Sequence, residues 1–356
     1  MGFYRNLVLV AASCTQALGL CPAPRCDSPD IRHEWGELSR EDRLSYISAV
    51  QCMKDRPPEL SVEEVPAVRS RYDDFTAVHI NYTLQIHNSG IFLPWHRHFI
   101  WLWEKALREE CGFTGTLPYW DWVMWPNLAA SPLFDGTETS LSGDGEFNAT
   151  EQPTELNPEP GLTITIPRGA GGGCVRTGPF KDWVINMGPF AFNESYEPAL
   201  PDHAFDYNPR CLVRSLNDWV IQTYNNQTVV DTLLDSPDIV EFQNIMGGFP
   251  NPPIPIGPHA MGHRSLGPDM LDFFASPQDP AFWQHHGMVD RLWTVWQDAD
   301  EPWRRFALNG SSTTWYKDDT PEVTLQTTVE FGILDEPRPL YELMSPTAGP
   351  YCYTYT

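Results

Sequence analysis

The sequence predicts a mainly α-helical protein: a central four-helix bundle holding a pair of metal ions, wrapped by long loops with few short strands. Three observations lead there. Four segments carry apolar residues at helical spacing, and the stretches between them are rich in Pro, Gly, Ser and acidic residues. Two groups of three histidines fall on or beside helical patterns, and a bundle can present such side chains from facing helices.

The first helical segment is "LSREDRLSYISAVQCMKD" at 38–55, where Ser39 precedes Asp42 by three positions in the manner of a capping box. Leu44, Ile47, Val50 and Cys52 then line one side. The second runs from about Val68 through His87. The third begins at Pro94, a residue suited to a first turn, and carries Phe99, Leu102, Trp103 and Leu107. The fourth is "DPAFWQHHGMVDRLWTVWQDAD" at 279–300, with Asp279 as its expected cap and Pro280 just inside. Between Ala129 and Gly178 the composition turns to Gly, Thr, Glu, Ser and Pro, including "GAGGG" at 169–173, so surface loops are expected there. With 34 prolines the chain is rich in loops throughout, and no linker divides it, so one domain is expected over 20–356.

Residues 1–19 read as a secretory leader: one arginine, a short apolar stretch, then small residues flanking a cut after Gly19, with a site near Ala23 as the alternative. The apolar run is too short to cross a bilayer. Export permits disulfides, and seven cysteines remain after loss of Cys14, an odd number. None forms a CxxC pair, which disfavours a thiolate metal site, while Cys174 and Cys211 both lie in loop-like sequence that they could staple. Sequons at Asn81, Asn148, Asn193, Asn226 and Asn309 agree with a secreted glycoprotein. A net charge of -24 argues against nucleic acid or an anionic membrane as partner, because both repel an acidic surface, and favours a small neutral molecule. No residue pattern marks an oligomeric state.

The histidines carry the chemistry. His259 and His263 in "GPHAMGHRSLG" are four apart, so on a helix both rings leave one face. His286 stands four before Asp290, whose carboxylate could accept a hydrogen bond from a ligating ring. Upstream, His79, His87 and His96 form a second triplet, with the turn residues Asn88 and Gly90 between the last two. His98, two residues beyond His96, points about 160° away and reads as packing or surface. Three imidazoles per ion suit copper, zinc, iron or nickel, and the lack of an acid at ligand spacing favours redox copper over hydrolytic zinc.

The combination of "HNSGIFLPWHR" with the preceding His79, "HAMGH" and "DPAFWQHHGMVDRLW" resembles the type 3 copper proteins, specifically the short secreted fungal tyrosinase and catechol oxidase family. The likeness extends from "RHEWGELSREDRLSYISAVQCM" at residue 32 to the Tyr-x-Tyr at Tyr351 and Tyr353. It implies two copper ions, with His79, His87 and His96 on copper A and His259, His263 and His286 on copper B, His286 being the member of the His285–His286 pair that stands four before the aspartate. It further implies that Phe282 packs beside the copper pair, that a substrate ring stacks on His263, and that Ala260, Arg264 and Phe282 shape the entrance. Periodicity alone is equally consistent with Phe282 and Trp293 as plain core residues, and Arg264 reads either as an anchor for acidic phenols or as a solvated surface arginine. The implied activity is oxidation of small o-diphenols (catechols) to o-quinones with O2. Rival readings are a true tyrosinase, a hydroxylase of methoxyphenols, a dioxygen carrier and a zinc hydrolase.

Three departures from the family pattern refine the expectation. "HINYTLQIH" lacks the cysteine that crosslinks to the second copper A histidine in many relatives, so no thioether is expected. Ala260 stands where efficient monophenol hydroxylases often carry Asn, and no acid lies between Glu241 and His259, so monophenol hydroxylation is expected to be weak or absent. The chain ends at the Tyr-x-Tyr region, so no C-terminal lid domain is expected.

Overall fold

The computed structural model describes residues 26–159, 161–248, 256–301, 303–314 and 320–356. The expected leader, Cys14 and Cys21 lie outside the described residues. Ser39 caps α1 (Arg40–Asp55), its hydroxyl accepting the Asp42 N–H at 3.1 Å, and Ser70 does the same for α2 (Arg71–Ile86) through Asp73. The helix α3 (Phe92–Cys111) starts two residues before the expected Pro94. Pro94 is still tolerated, since donors in a first turn have no partner inside the helix. It ends on Gly112 in the left-handed region at φ 68°, which a residue without a Cβ adopts freely.

Downstream come α4 (Asp218–Tyr224), α5 (Gln227–Leu234), α6 (Ile239–Gly247), α7 (Pro258–Leu266), α8 (Pro268–Leu271) and α9 (Phe282–Asp298). Of these, the sequence marks only α7 and α9. Helices α4, α5 and α8 span at most eight residues, too few for periodicity to show. Asp279 does not cap α9: the helix opens after Ala281, and the Asp279 carboxylate instead takes a bidentate grip from buried Arg214 while accepting the Ala281 N–H. The 129–178 stretch, expected as loops, folds partly into strands, with a hairpin of Thr154–Glu159 on Leu162–Ile166 and a three-stranded sheet of Gly145–Phe147, Gly172–Val175 and Val213–Arg214. Gly145, Gly172 and Gly173 are residues of that sheet, and a Cβ on Gly145 would crowd the Gly173 carbonyl oxygen.

The helical core is built on α3, which packs against α1, α2 and α9, while α7 joins α4, α6 and α9. Its interior is aromatic. Trp103 and Trp283 stack face to face at 4.2 Å, and Tyr72, Phe75 and Phe99 meet them at 6.4 Å or less. Trp293 is a core residue, 1% exposed, with the Arg97 guanidinium 3.9 Å from its ring. Disulfides join Cys52 to Cys111, Cys174 to Cys211 and Cys26 to Cys352, so the six cysteines in the described residues are all paired. Beside the last of these, Asp30–Arg32 pairs in parallel with Tyr353–Tyr355.

Candidate metal centre

Four helices, α2, α3, α7 and α9, deliver the histidines. His79 sits inside α2, while His87 follows its end in extended conformation, with Asn88 beyond it in the left-handed region at φ 46°. That turn sends the chain into α3, where His96 lies one turn in. Gly90 is required within it, because a Cβ there would meet Val323 Cγ2 at 2.4 Å and the Asn309 carbonyl at 2.9 Å. On α7, His259 and His263 share a face, and α9 adds His285 and His286.

These rings form two groups, buried except for a partly exposed His259: His79, His87 and His96 in one and His259, His263, His285 and His286 in the other. The groups touch: His96 and His286 stack at 4.6 Å between ring centres, 13° from parallel. Phe282 lies against both, 4.2 Å from His286 and 5.5 Å from His79. Backbone carbonyls fix the rings. The Nδ1 of His79 bonds the Phe274 carbonyl at 2.7 Å, His87 that of Thr83 at 3.1 Å, His96 that of Phe92 at 2.9 Å and His263 that of Met270 at 2.7 Å. A carbonyl can only accept, so each Nδ1 carries the proton and each Nε2 keeps a free lone pair. Among the described residues, the Nε2 atoms of His79 and His96 have no hydrogen-bond partner. In the second group the His263 Nε2 faces those of His259 and His286, each at 3.2 Å, a convergence of lone pairs that suits a shared cation. Burial keeps the imidazoles neutral: it pushes His87 down to about 3 and His263 to about 4, and the other rings well below their usual range. Neutral imidazole is the ligating form.

His285 occupies a different place. Its ring stacks on His259 at 5.6 Å, meets His263 edge-on at 4.3 Å and touches the rings of Trp120 and Trp122. The expected pairing of Asp290 with a ligating ring is not formed. Its carboxylate accepts from Arg97, Tyr353 and Tyr355, each at 2.6 Å, because two buried cations, Arg97 and Arg32, need it more than an imidazole does. Burial would push Asp290 up, but Arg97 and Arg32 hold it below the usual carboxylate range. His98 is packing, as expected of its direction: fully buried, it bridges the Tyr351 hydroxyl and Asp335, both at 2.8 Å.

A cavity of about 640 Å³ opens onto His87, His259 and His263. Its wall is mainly apolar, with Phe92, Leu156, Phe190 and Phe273, and α7 contributes Ala260 and Arg264. Phe282 stands behind the rings and is absent from that wall. Arg264 is half-buried, and burial pulls it below its usual range while Tyr224 opposes. Gln243 and Asn244 on α6 and Asp272 after α8 are polar wall residues that the sequence leaves unmarked. They fall outside the histidine motifs and carry no spacing signal. Glu241, by contrast, is exposed and does not line the cavity.

Two triplets of neutral imidazoles against one apolar cavity define a dinuclear copper protein of the type 3 class. Residues 69–299 match the family described as the common central domain of tyrosinase, and the chain belongs to that family. It is similar to an N-acetyl-6-hydroxytryptophan oxidase of Emericella nidulans, 45% identical over 372 residues that cover all of both chains. An oxidase of Aspergillus hancockii is 47% identical over 80% of this chain and 99% of its own. Among solved structures, a single-residue variant of a polyphenol oxidase from Thermothelomyces thermophila superposes with a TM-score of 0.85 at 39% identity, covering 94% of this chain and 91% of the other. The protein is thus a tyrosinase-family oxidase. The dinuclear copper site that membership implies fits the unpartnered Nε2 atoms found here.

Proposed function

We propose that the protein oxidises o-diphenols to o-quinones with O2 and hydroxylates monophenols weakly or not at all. His79, His87 and His96 hold one copper, and His259, His263 and His286 the other. The carrying observation is that rings of both triplets, His87 with His259 and His263, form one end of the apolar cavity. Bound copper would supply the electron transfer between phenol and O2. The residues around it position the substrate. His263, pinned by the Met270 carbonyl, offers a fixed ring for a phenol to lie against, and Phe282 packs against the His263 and His286 rings. Ala260 presents no polar group, and Gln243 and Asn244 are amides, which orient a hydroxyl but do not take its proton at neutral pH. Asp272, the one carboxylate on the wall among the described residues, already accepts the N–H groups of Phe190, Phe274 and Ala275. A lone phenol therefore lacks the base that its deprotonation needs, whereas a catechol supplies two electrons without ring hydroxylation.

A second reading, oxidation of hydroxyindoles, is favoured by the full-length similarity to the N-acetyl-6-hydroxytryptophan oxidase. Secretion is part of the proposal, supported by the leader-like first residues and three disulfides. The test is oxygen uptake by copper-loaded protein with 4-methylcatechol, tyrosine, 2-methoxyphenol and 6-hydroxyindole. Sustained uptake is expected with the catechol and little with tyrosine. Two bound coppers without uptake on any of them would point to a carrier instead.

A further inference from the structure

We propose that Asn193 carries an N-linked oligosaccharide that lies over the mouth of the cavity and bars phenols attached to bulky carriers; the assignment rests on the secretion and the substrate cavity proposed above. Asn193, Glu194 and Ser195 form a glycosylation sequon in the short helical turn Phe192–Tyr196, whose first and last rings both line the cavity. Glu194 accepts the Ala191 N–H at 2.6 Å and the Ser195 hydroxyl donates to the Phe192 carbonyl at 2.7 Å, so the turn is held with Asn193 exposed. Phe192 meets Phe273 at 5.9 Å between ring centres, and Phe273 lies 4.6 Å from His87. The residue beside Asn193 is thus two ring contacts from a histidine of the first triplet.

The five sequons are not alike in the fold. Asn226 caps α5, its Oδ1 accepting the Val229 N–H at 3.1 Å and its Nδ2 donating to the Gln222 and Thr223 carbonyls at 2.9 and 3.1 Å. Asn148 gives its Nδ2 to the Gly172 carbonyl at 3.3 Å, and Asn309 gives its own to the Gln243 side-chain oxygen at 3.4 Å. All three are half-buried, whereas Asn81 and Asn193 are exposed, and no side-chain hydrogen bond engages Asn193 among the described residues. Glycosylation joins Nδ2 to the anomeric carbon of an N-acetylglucosamine and breaks the bond from that carbon to the pyrophosphate of a lipid-linked donor. The lipid pyrophosphate and one amide proton leave. The linked nitrogen keeps a single hydrogen, which cannot serve both bonds of Asn226, while Asn193 gives up nothing.

The surroundings of Asn193 suit a sugar. Phe192 is 42% exposed and Tyr196 40%, their rings edge to face at 5.7 Å. A pyranose presents a face of C–H groups that lies against such rings and takes their apolar surface out of water. The sugar chain is bulky and well hydrated. Rooted at the rim, it leaves the way open to a free one-ring phenol and closes it to a phenol whose carrier must pass the same rim.

The test starts from protein produced in a host that glycosylates secreted chains. Peptide mass spectrometry, with enzymatic release of sugar in isotopically labelled water, should find the oligosaccharide on Asn193. Sugar on Asn81 with Asn193 bare overturns the assignment and leaves secretion standing; no sugar on any sequon, with Met1 intact, overturns secretion and the assignment with it. Copper-loaded Asn193→Gln should oxidise free 4-methylcatechol within about two-fold of wild type, and kcat/KM for a catechol tethered to a polyethylene glycol chain should rise about five-fold or more. Enzymatic removal of the sugar from folded wild type should give the same shift without a substitution. Calorimetry with the free and tethered catechols under nitrogen reads the same ratio as affinities, so a protein that turns over neither overturns the reaction proposed above and still tests the barrier. A tethered catechol accepted equally well with and without the sugar overturns it.

Discussion

The Tyr353 hydroxyl donates to the Asp290 carboxylate at 2.6 Å across 63 residues of sequence, tying the last strand to the helix that bears His286. Tyr355 and Arg97 reach the same carboxylate, and Arg32, which lies 3.5 Å over the Tyr353 ring, completes the cluster. Asp290→Asn would leave buried Arg97 without its counter-ion, while Arg32 keeps Glu104 at 2.6 Å, so it should cost about 3–5 kcal/mol in chemical denaturation. Tyr353→Phe removes one bond to a charged group and should cost about 1.5–3 kcal/mol. A neutral effect of Asp290→Asn would show that the pair is not maintained in solution.

His263→Ala should lower bound copper from two towards one per chain and reduce catechol-driven oxygen uptake by roughly a hundred-fold or more, since even outer partners of a ligand matter at that scale. Metal analysis and an oxygen electrode read both. Removing the metal with a chelator should abolish uptake, and added copper should restore it.

Gly262→Ala tests the packing behind the same ring. The new Cβ would meet His285 Cε1 at 2.2 Å and Nδ1 at 2.7 Å, so the His285 ring or α7 must move. A loss of about 1–3 kcal/mol is expected in denaturation, together with weaker copper retention during dialysis.

Ala260→Asn places a hydrogen-bonding amide at the cavity end nearest the histidines. If proton removal limits hydroxylation, the ratio of monophenol to diphenol rates should rise about ten-fold. Wild-type protein that hydroxylates tyrosine without a lag, at its catechol rate, would contradict the proposed weakness.

Copper-free protein should be acid-sensitive in a defined window. His87 and His263 stay neutral in the fold down to about 3 and about 4, against an unfolded value of about 6.5. Above 6.5 both states are neutral and stability is full. As pH falls below 6.5 the unfolded chain gains protons that the fold excludes, so stability drops by about 1.4 kcal/mol per pH unit for each ring. Thermal melting of metal-free protein from pH 8 to pH 4.5 should show a plateau and then a fall. A flat profile would mean that the rings are solvated.

Much of this was legible in the sequence because helix periodicity and motif spacing are local signals. Ser39 marks the start of α1, the HxxxH places two rings on one face of α7, and the turn residues Asn88 and Gly90 explain why His87 and His96 can meet across a helix break. What escaped is what the tertiary fold decides. Asp290 has the spacing of a partner for His286, yet buried cations from 193 and 258 residues away claim it. Asp279 precedes α9 like a cap but is taken by Arg214. Gln243, Asn244 and Asp272 reach the cavity from elements that no motif announces.

Cys26 and Cys352 stand 5.6 Å apart at Cα, at the edge of the parallel pairing between Asp30–Arg32 and Tyr353–Tyr355. Because those strands run the same way, a pull on residue 26 against residue 356 loads their hydrogen bonds together in shear rather than opening them one at a time. The covalent link passes the same tension straight from residue 26 to residue 352. The metal-bearing helices, which lie in the loop this clasp closes, are mechanically bypassed, so a chain tethered at both ends would carry force around its dicopper centre and not through it.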